Sequence, residues 1–382
     1  MKPRFVLFLV GLVTVTALLL SGCAPEATPT DEAESAAPEE EGGKADAPAT
    51  PSTETFKWRA QAIYPAGSVY YNHGERVAQD IKEMSGGRID VSYFPAGGVV
   101  PALQEMEACD MGTLEAFFAP MSLWTGKVGL VANLWTGYPA GPGPVEMMVW
   151  IDEYGGMALW EEMVANAGLN LVNTGYGSVS SAESFAWTNK PILKLSDFEG
   201  LKFRSGGMWG NVLGTLGASV VTLPGGELYP SMERGVIDSF EYCCPGMDIT
   251  MGFYEIADYW EGPGIHSPMS DCEFVVNGDV WNELPEDLKA IVKEAVQSNG
   301  SKNWHEMERL DAEAMDFIRD YGTEIVILPD DVQLEIIRVS NEFLDGQAAD
   351  DAFFKKVLDS QRAFLESYRV FKSSAQPTIG TN

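Results

Sequence analysis

The chain has 382 residues, with 25 Lys and Arg against 56 Asp and Glu, and a formal net charge of −31. So acidic a surface repels a phosphate backbone, which excludes nucleic acid as a partner. Hydrophobic residues make up 45% of the chain, enough for a sizeable core in a body long enough for two lobes.

The chain opens MKPRFVLFLVGLVTVTALLLSGC, with Lys2 and Arg4 ahead of an apolar run that ends in small residues and Cys23. This is the pattern of a secretory signal rather than a membrane span. Leu-Ser-Gly-Cys at 20–23 matches the bacterial lipobox. Residues 1–22 are therefore expected to be a lipoprotein signal peptide, and Cys23 to carry the lipid. The protein would then sit in the periplasm or on the outer face of the cell envelope. Residues 23–55 are rich in Ala, Pro, Glu and Thr. Such a segment cannot bury enough surface to offset its ordering entropy, so it reads as a disordered acidic tether. No second apolar stretch is long enough to span a bilayer.

The folded body runs from about residue 55. Residues 55–64, TFKWRAQAIY, read as a strand. Val69–Met84 has helical spacing and stops at Gly86-Gly87. RIDVSYFP at 88–95 alternates as a strand, followed by a helix at 102–109 and a short strand at 114–118. This alternation predicts an α/β fold, with a mainly parallel sheet and helices on both faces. The pattern returns with strands at 171–175 and 200–205, a helix at 209–216, a strand at 218–223, a helix at 226–234 and a strand at 235–243. Two segments match loosely, LQEMEACDMGTLEAFF (103–118) and LYPSMERGVIDSFEY (228–242). Each is a helix, a glycine and an apolar strand, with an acid at Glu115 or Asp238. They suggest two similar lobes. Ligands in open α/β sheets bind beyond the carboxyl ends of the strands, so Phe118 and Glu241, at equivalent ends, are expected to face one cleft.

The C-terminal third reads as helical. Residues 285–297 and 301–322 are two amphipathic runs, and 323–328 is a strand. A final helix at 351–371 carries a stripe of Phe354, Val357, Leu358, Leu365, Tyr368 and Phe371. A stripe so apolar must be covered, either by a partner subunit or by the chain's own lobes.

Familiar catalytic signatures are missing. His73, His266 and His305 are the three histidines, and no pair of them has metal-ligand spacing. No nucleophile elbow, P-loop or dinucleotide fingerprint occurs. Carboxylates are too abundant for any one pair to be informative. Export permits disulfides. A bridge between the neighbours Cys243 and Cys244 is strained; the alternatives are a bridge from one of them to Cys272, or buried thiols at these positions and Cys109.

Residues 200–242 hold the informative set. Gly200-Leu201-Lys202-Phe203-Arg204 is followed by Gly217-Ala218, Leu223-Pro224, Glu227-Leu228-Tyr229 and Gly235-Val236-Ile237-Asp238. These motifs, with FPAGGVVP at 94–101, resemble in order those of the solute-binding proteins of TRAP (tripartite ATP-independent periplasmic) transporters, of the DctP type. The likeness covers most of residues 56–370. It implies a two-lobed periplasmic-binding-protein fold, type II-like, with long C-terminal helices and no catalysis. We expect a binding domain at 56–350, with lobe I at about 56–175 and 245–280 and lobe II at about 176–244 and 281–350. Residues 351–382 would be a C-terminal helix and tail.

The resemblance also implies roles. Arg204 matches the arginine that pairs with a ligand carboxylate, and the physics agrees. A planar fork of fixed donors recognises a carboxylate by geometry as well as charge, and an acidic surface needs a local cation to hold an anion. The branch that binds 2-oxo acids reads most like this chain and places a cation beside the ligand. Its Glu-aromatic pair corresponds to Glu241-Tyr242. Glu183 stands where that branch has a Gln, four residues before Trp187. Two facing carboxylates demand a cation, and with the Tyr242 carbonyl they suit a hard ion, Na⁺ or Ca²⁺. The expected partners are a small organic acid, the TRAP membrane subunits and, through the final helix, a second copy in a homodimer. The alternatives are a secreted carboxylate-based hydrolase and a receptor module that binds its ligand only to signal.

Overall fold

Residues 54–375 are described in the computed structural model; the signal segment and Cys23 lie outside the described residues. Strand β1 (Phe56–Ala62) leads into helix α1 (Val69–Met84), whose N-terminus is capped by Ser68, its hydroxyl accepting from the Tyr71 amide. Strand β2 (Ile89–Phe94) returns parallel to β1, and β3 (Ala116–Ala119) lies parallel on β1's other side. Helices α2 (Pro144–Glu153) and α3 (Gly156–Asn166) precede the long strand β4 (Leu171–Ser180). The chain then crosses to a second sheet through β5 (Ala186–Thr188).

In that sheet the first pattern repeats. Strand β6 (Lys202–Arg204), helix α4 (Gly207–Thr215), β7 (Ser219–Val221) and β8 (Ser239–Phe240) follow in turn, with β7 and β8 parallel to β6 on its two sides. After β9 (Tyr259–Gly262) the chain crosses back to β10 (Ser270–Asn277). Helix α5 (Glu286–Tyr321) leads to β11 (Glu324–Ile327), and α6 (Asp330–Asp350) and α7 (Ala352–Ala375) end the described chain. The first sheet runs β2-β1-β3-β10-β4 and the second β11-β9-β5-β8-β6-β7.

The repeat seen in the sequence extends to single bonds. The Glu115 amide donates to the Arg59 carbonyl at 3.1 Å, and the Asp238 amide to the Lys202 carbonyl at 2.9 Å. Each acid also accepts a bond in return, from the Arg59 or the Lys202 amide. The glycine after each short helix, Gly112 or Gly235, has a positive φ of 72° or 66°, a conformation that side chains resist.

Alternation along the strands separates the cores. Phe118 and Phe274 face α1 and α5, packing with Val77, Leu288 and Val292. Phe117 and Val275 face the other way, toward Trp150, Trp160 and α7. In the second lobe Phe203 packs against α4 and α6, whereas Phe240 lies with Leu228, Phe253 and the far end of α5 at Ile318.

Several expectations are corrected. Residues 285–297 and 301–322 are one helix of 36 residues, α5. Gly300 does not break it. A Cβ there would lie 2.2 Å from the Tyr176 carbonyl, so the glycine lets α5 seat against β4. Strands β5, β9 and β10 and helices α2, α3 and α6 have no counterpart in the sequence reading. Residues 245–280 do not all belong to the first lobe, because β9 pairs with β5 and β11 in the second sheet, nor do residues 281–350 all belong to the second, because Leu284, Leu288, Val292 and Met307 pack in the first lobe's core with Phe118. The terminal stripe packs on its own chain: Phe354, Val357, Leu358, Phe364 and Leu365 are buried in the core that holds Trp135 and Trp150. The stripe therefore gives no ground for a homodimer; Val370 and Phe371, at its end, stay exposed.

Candidate functional site

Two segments carry the chain between sheets, 181–185 from β4 to β5 and 263–269 from β9 to β10. They run side by side, the Glu183 amide donating to the Ser267 carbonyl at 3.0 Å. Gly264 permits this approach, since a Cβ there would lie 2.0 Å from the Glu183 carbonyl oxygen. The ends of β6 and β8 point to the same place. Arg204 ends β6 opposite Phe240 of β8, and Glu241 follows directly. A cavity of about 220 Å³ opens there, lined by Glu183, Glu241, His266, Trp209, Tyr138 and Ser267 among others. It lies at the carboxyl ends of strands, where α/β sheets bind ligands.

The electrostatics are those of crowded acids around one arginine. Glu183, Glu241 and His266 each offer a ligand atom, all within 4.8 Å of one another. Burial, and then the charge of Glu183, holds the Glu241 carboxyl above the usual range. Beneath them the buried Asp248 accepts from the Ser184 hydroxyl and the Trp187 indole, both at 2.7 Å, and burial raises it well above its ordinary value. The Arg204 side chain is 18% exposed. Its Nε donates to the Leu223 carbonyl at 3.0 Å and its Nη1 to the Glu241 carbonyl at 2.8 Å, with Glu241 Oε2 at 3.5 Å. Gly206 and Gly207 follow in the cavity wall, and a Cβ on either would meet nothing within 4 Å.

Of the residues expected at the site, Glu183, Glu241 and Arg204 come together. Glu183 and Glu241 line the cavity; Arg204 stands behind Glu241. Tyr242 turns its ring away onto Phe253, centroids 5.5 Å apart, and does not line the cavity. Phe118 does not face the cleft. Strand β3 continues one residue beyond it, and its fully buried ring touches the positions of Gly74 and Gly177 in the first lobe's core. Its counterpart strand β8 stops at Phe240, which frees Glu241. The four cysteines 109, 243, 244 and 272 are buried free thiols.

Sequence reading missed His266, Asp248, Trp209 and Tyr138. Their partners are distant in the chain, so no local spacing marks them. The one available signal is that His266 sits in a Gly- and Pro-rich segment, GPGIHSPMSD. A larger cavity, of about 610 Å³, lies against β4 and α5 and is lined by Met148, Met157, Trp281 and Trp304 among others. Asp152 and Glu161 line it too, but among the described residues only the smaller cavity brings acids and a histidine within 4.8 Å of one another.

A cation suits the smaller cavity. Two carboxylates face each other, and the buried imidazole of His266 has no hydrogen-bond partner on either nitrogen. A two-sheet α/β body with a polar cavity at its crossovers has the architecture of the two-lobed solute-binding proteins. The chain belongs to the DctP family, the bacterial extracellular solute-binding proteins of family 7, whose profile matches residues 60–350. It is 30% identical over 331 residues to a monocarboxylate 2-oxoacid-binding periplasmic protein of Nostoc sp. (strain PCC 7120), covering 84% of this chain and 90% of that one. A TRAP periplasmic solute-binding protein of Colwellia psychrerythraea, solved with calcium and pyruvate, superposes with a TM-score of 0.77 at 26% identity, over 83% of this chain and 96% of that one. A second, from Pseudoalteromonas atlantica T6c with sodium and pyruvate, gives 0.77 and 26%, over 84% and 97%. Among the described residues no helix is long and apolar enough to cross a membrane.

Proposed function

We propose that this chain captures a small 2-oxo or 2-hydroxy monocarboxylate together with a cation, and delivers it to the membrane subunits of a TRAP transporter. One observation carries the reading: a facing pair of carboxylates lines one small cavity at the crossovers, with a fixed arginine directly behind one of them. Arg204 takes the ligand's carboxylate. Glu241 and Glu183, with the Tyr242 backbone carbonyl, would hold the cation, which would supply fixed positive charge beside the ligand's oxygens. The pyruvate, calcium and sodium named for similar solved proteins support the same pairing. Cys23 is the lipid attachment point, and residues 23–55 tether the binding domain to the membrane. Nothing in this role requires turnover.

Calorimetry with pyruvate tests it. Arg204→Lys keeps the charge but loses the fork, and should weaken binding by about 1.5–3 kcal/mol, the range for hydrogen bonds to charged groups. Dialysis of the unmodified protein against a chelator in sodium-free buffer should weaken binding, and returning Ca²⁺ or Na⁺ should restore it. Unchanged affinity in Arg204→Lys removes the arginine from its role; indifference to metal removes the cation.

A further inference from the structure

His266 changes the chemistry of the cation site. It is 4% exposed, lines the cavity, and holds Nε2 3.3 Å from Glu183 Oε2. Nδ1 has no hydrogen-bond partner, and Nε2 has only the unaligned contact with Glu183, a costly state for a buried polar group unless something completes it. The ring cannot turn away freely. Trp209 stacks on it at 5.4 Å and 29°, and Phe185 meets it edge-on at 5.8 Å. The nitrogen is therefore presented to the cavity, within 4.8 Å of a carboxylate oxygen from each of Glu183 and Glu241.

Oxygen-only sets suit Na⁺ and Ca²⁺. An imidazole among the ligands moves the preference toward borderline divalent ions. Three protein ligands with open positions are the usual frame for such an ion when a further oxygen ligand must enter. We propose that His266 Nε2 is the third protein ligand of this site, and that it makes the site prefer Zn²⁺ or Co²⁺ over Ca²⁺, with the organic acid's oxygens filling the remaining positions. This rests on the cation-assisted capture proposed above.

The test uses the metal alone, on protein stripped by chelator dialysis. Zn²⁺, Co²⁺ and Ca²⁺ are titrated into the unmodified protein and into His266→Phe, which keeps an aromatic ring against Trp209 but removes the nitrogens. The unmodified protein should prefer Zn²⁺. The variant should lose Zn²⁺ and Co²⁺ affinity by at least the roughly 10–100-fold that removal of even an outer-shell partner costs. Its Ca²⁺ affinity should change by about threefold or less, because the oxygens remain. A second reading needs no variant to fold: Cu²⁺ bound to the unmodified protein should show imidazole nitrogen coupling in its electron paramagnetic resonance spectrum. An unchanged Zn²⁺-to-Ca²⁺ ratio in His266→Phe, or a Cu²⁺ spectrum with oxygen ligands only, overturns the assignment. A parallel pyruvate titration separates the two readings. If pyruvate needs Ca²⁺ but the metal preference ignores His266, only this inference fails; if pyruvate binds equally without any metal, cation-assisted capture fails with it.

Discussion

Glu261 lies on β9 with no exposed surface, accepting a hydrogen bond from the Ile192 amide at 2.6 Å. Burial raises its carboxyl to about 7. The sign follows directly. Between the unfolded value of about 4.5 and the folded value, the native state holds the proton more tightly than the unfolded chain does, so stability falls as pH rises through that window and levels off above it. A displacement of this size is on the order of 3 kcal/mol. Asp271, buried on β10 and raised to about 7 for the same reason, adds to the trend with the same sign. Urea denaturation should therefore give a higher stability at pH 5 than at pH 7.5, and Glu261→Gln should flatten part of that slope while keeping an acceptor for Ile192. An equal slope in the variant would assign the dependence elsewhere. Such residues show what a sequence conceals. Arg204 was legible because a motif surrounds it and because an acidic chain makes a fixed cation conspicuous. His266 and Asp248 were not, because their meaning lies in groups about 60 to 80 residues away that only the crossovers bring near.

Helix α7 shows the same limit for an element. Its existence and its apolar stripe were plain from periodicity; what covers the stripe was not. It packs on Trp135 and Trp150, and Gln361 on the same helix accepts from the hydroxyl of Tyr138 at 2.8 Å, a residue of the cavity wall. The helix thus buttresses one wall of the cleft. Each of the five buried apolar side chains of α7 is worth about 1.5–3 kcal/mol, together comparable to the whole stability of a typical domain, about 5–15 kcal/mol. Truncation after Gln347 should give a chain that has lost its cooperative thermal transition and its ligand binding, rather than a binding-competent monomer. Calorimetric melting decides between the two. Strands bounded by turn signals, such as β1, β2 and β6, were read close to their true limits. Strand β10 escaped because Asp271 and Glu273 make it look solvent-facing. Both are buried, and Glu273 is held by the Trp160 indole at 2.8 Å and the Asn173 amide at 3.1 Å. A buried acid with dedicated donors imitates a loop residue in any hydrophobic pattern.

At the scale of the molecule, the two lobes are built alike. Strands β2-β1-β3 are matched by β7-β6-β8, each trio parallel, and each gains an antiparallel pair, β10-β4 or β5-β9. The loose match between residues 103–118 and 228–242 was the visible trace of this duplication. Its consequence for the lobe boundaries was not visible, because each lobe takes its fourth strand from the chain segment that leaves the other. Glu183 and His266 occupy the two equivalent crossings, one at each. The exchange also dictates when the protein can fold. Strand β3 reaches β4 only through β10, and the Asn173–Glu273 bond that locks them spans 100 residues. As the chain is synthesised, neither half has its full set of strands until late: the first waits for residue 277, the second for residue 327. Closure across such separations is slow, and until then the apolar strands have nothing to complete them. A fragment ending at residue 265 should exchange its amides rapidly and unfold without cooperativity, whereas the whole chain should protect both sheets together. The two lobes are partners in time as well as in space, and neither has an independent folding life.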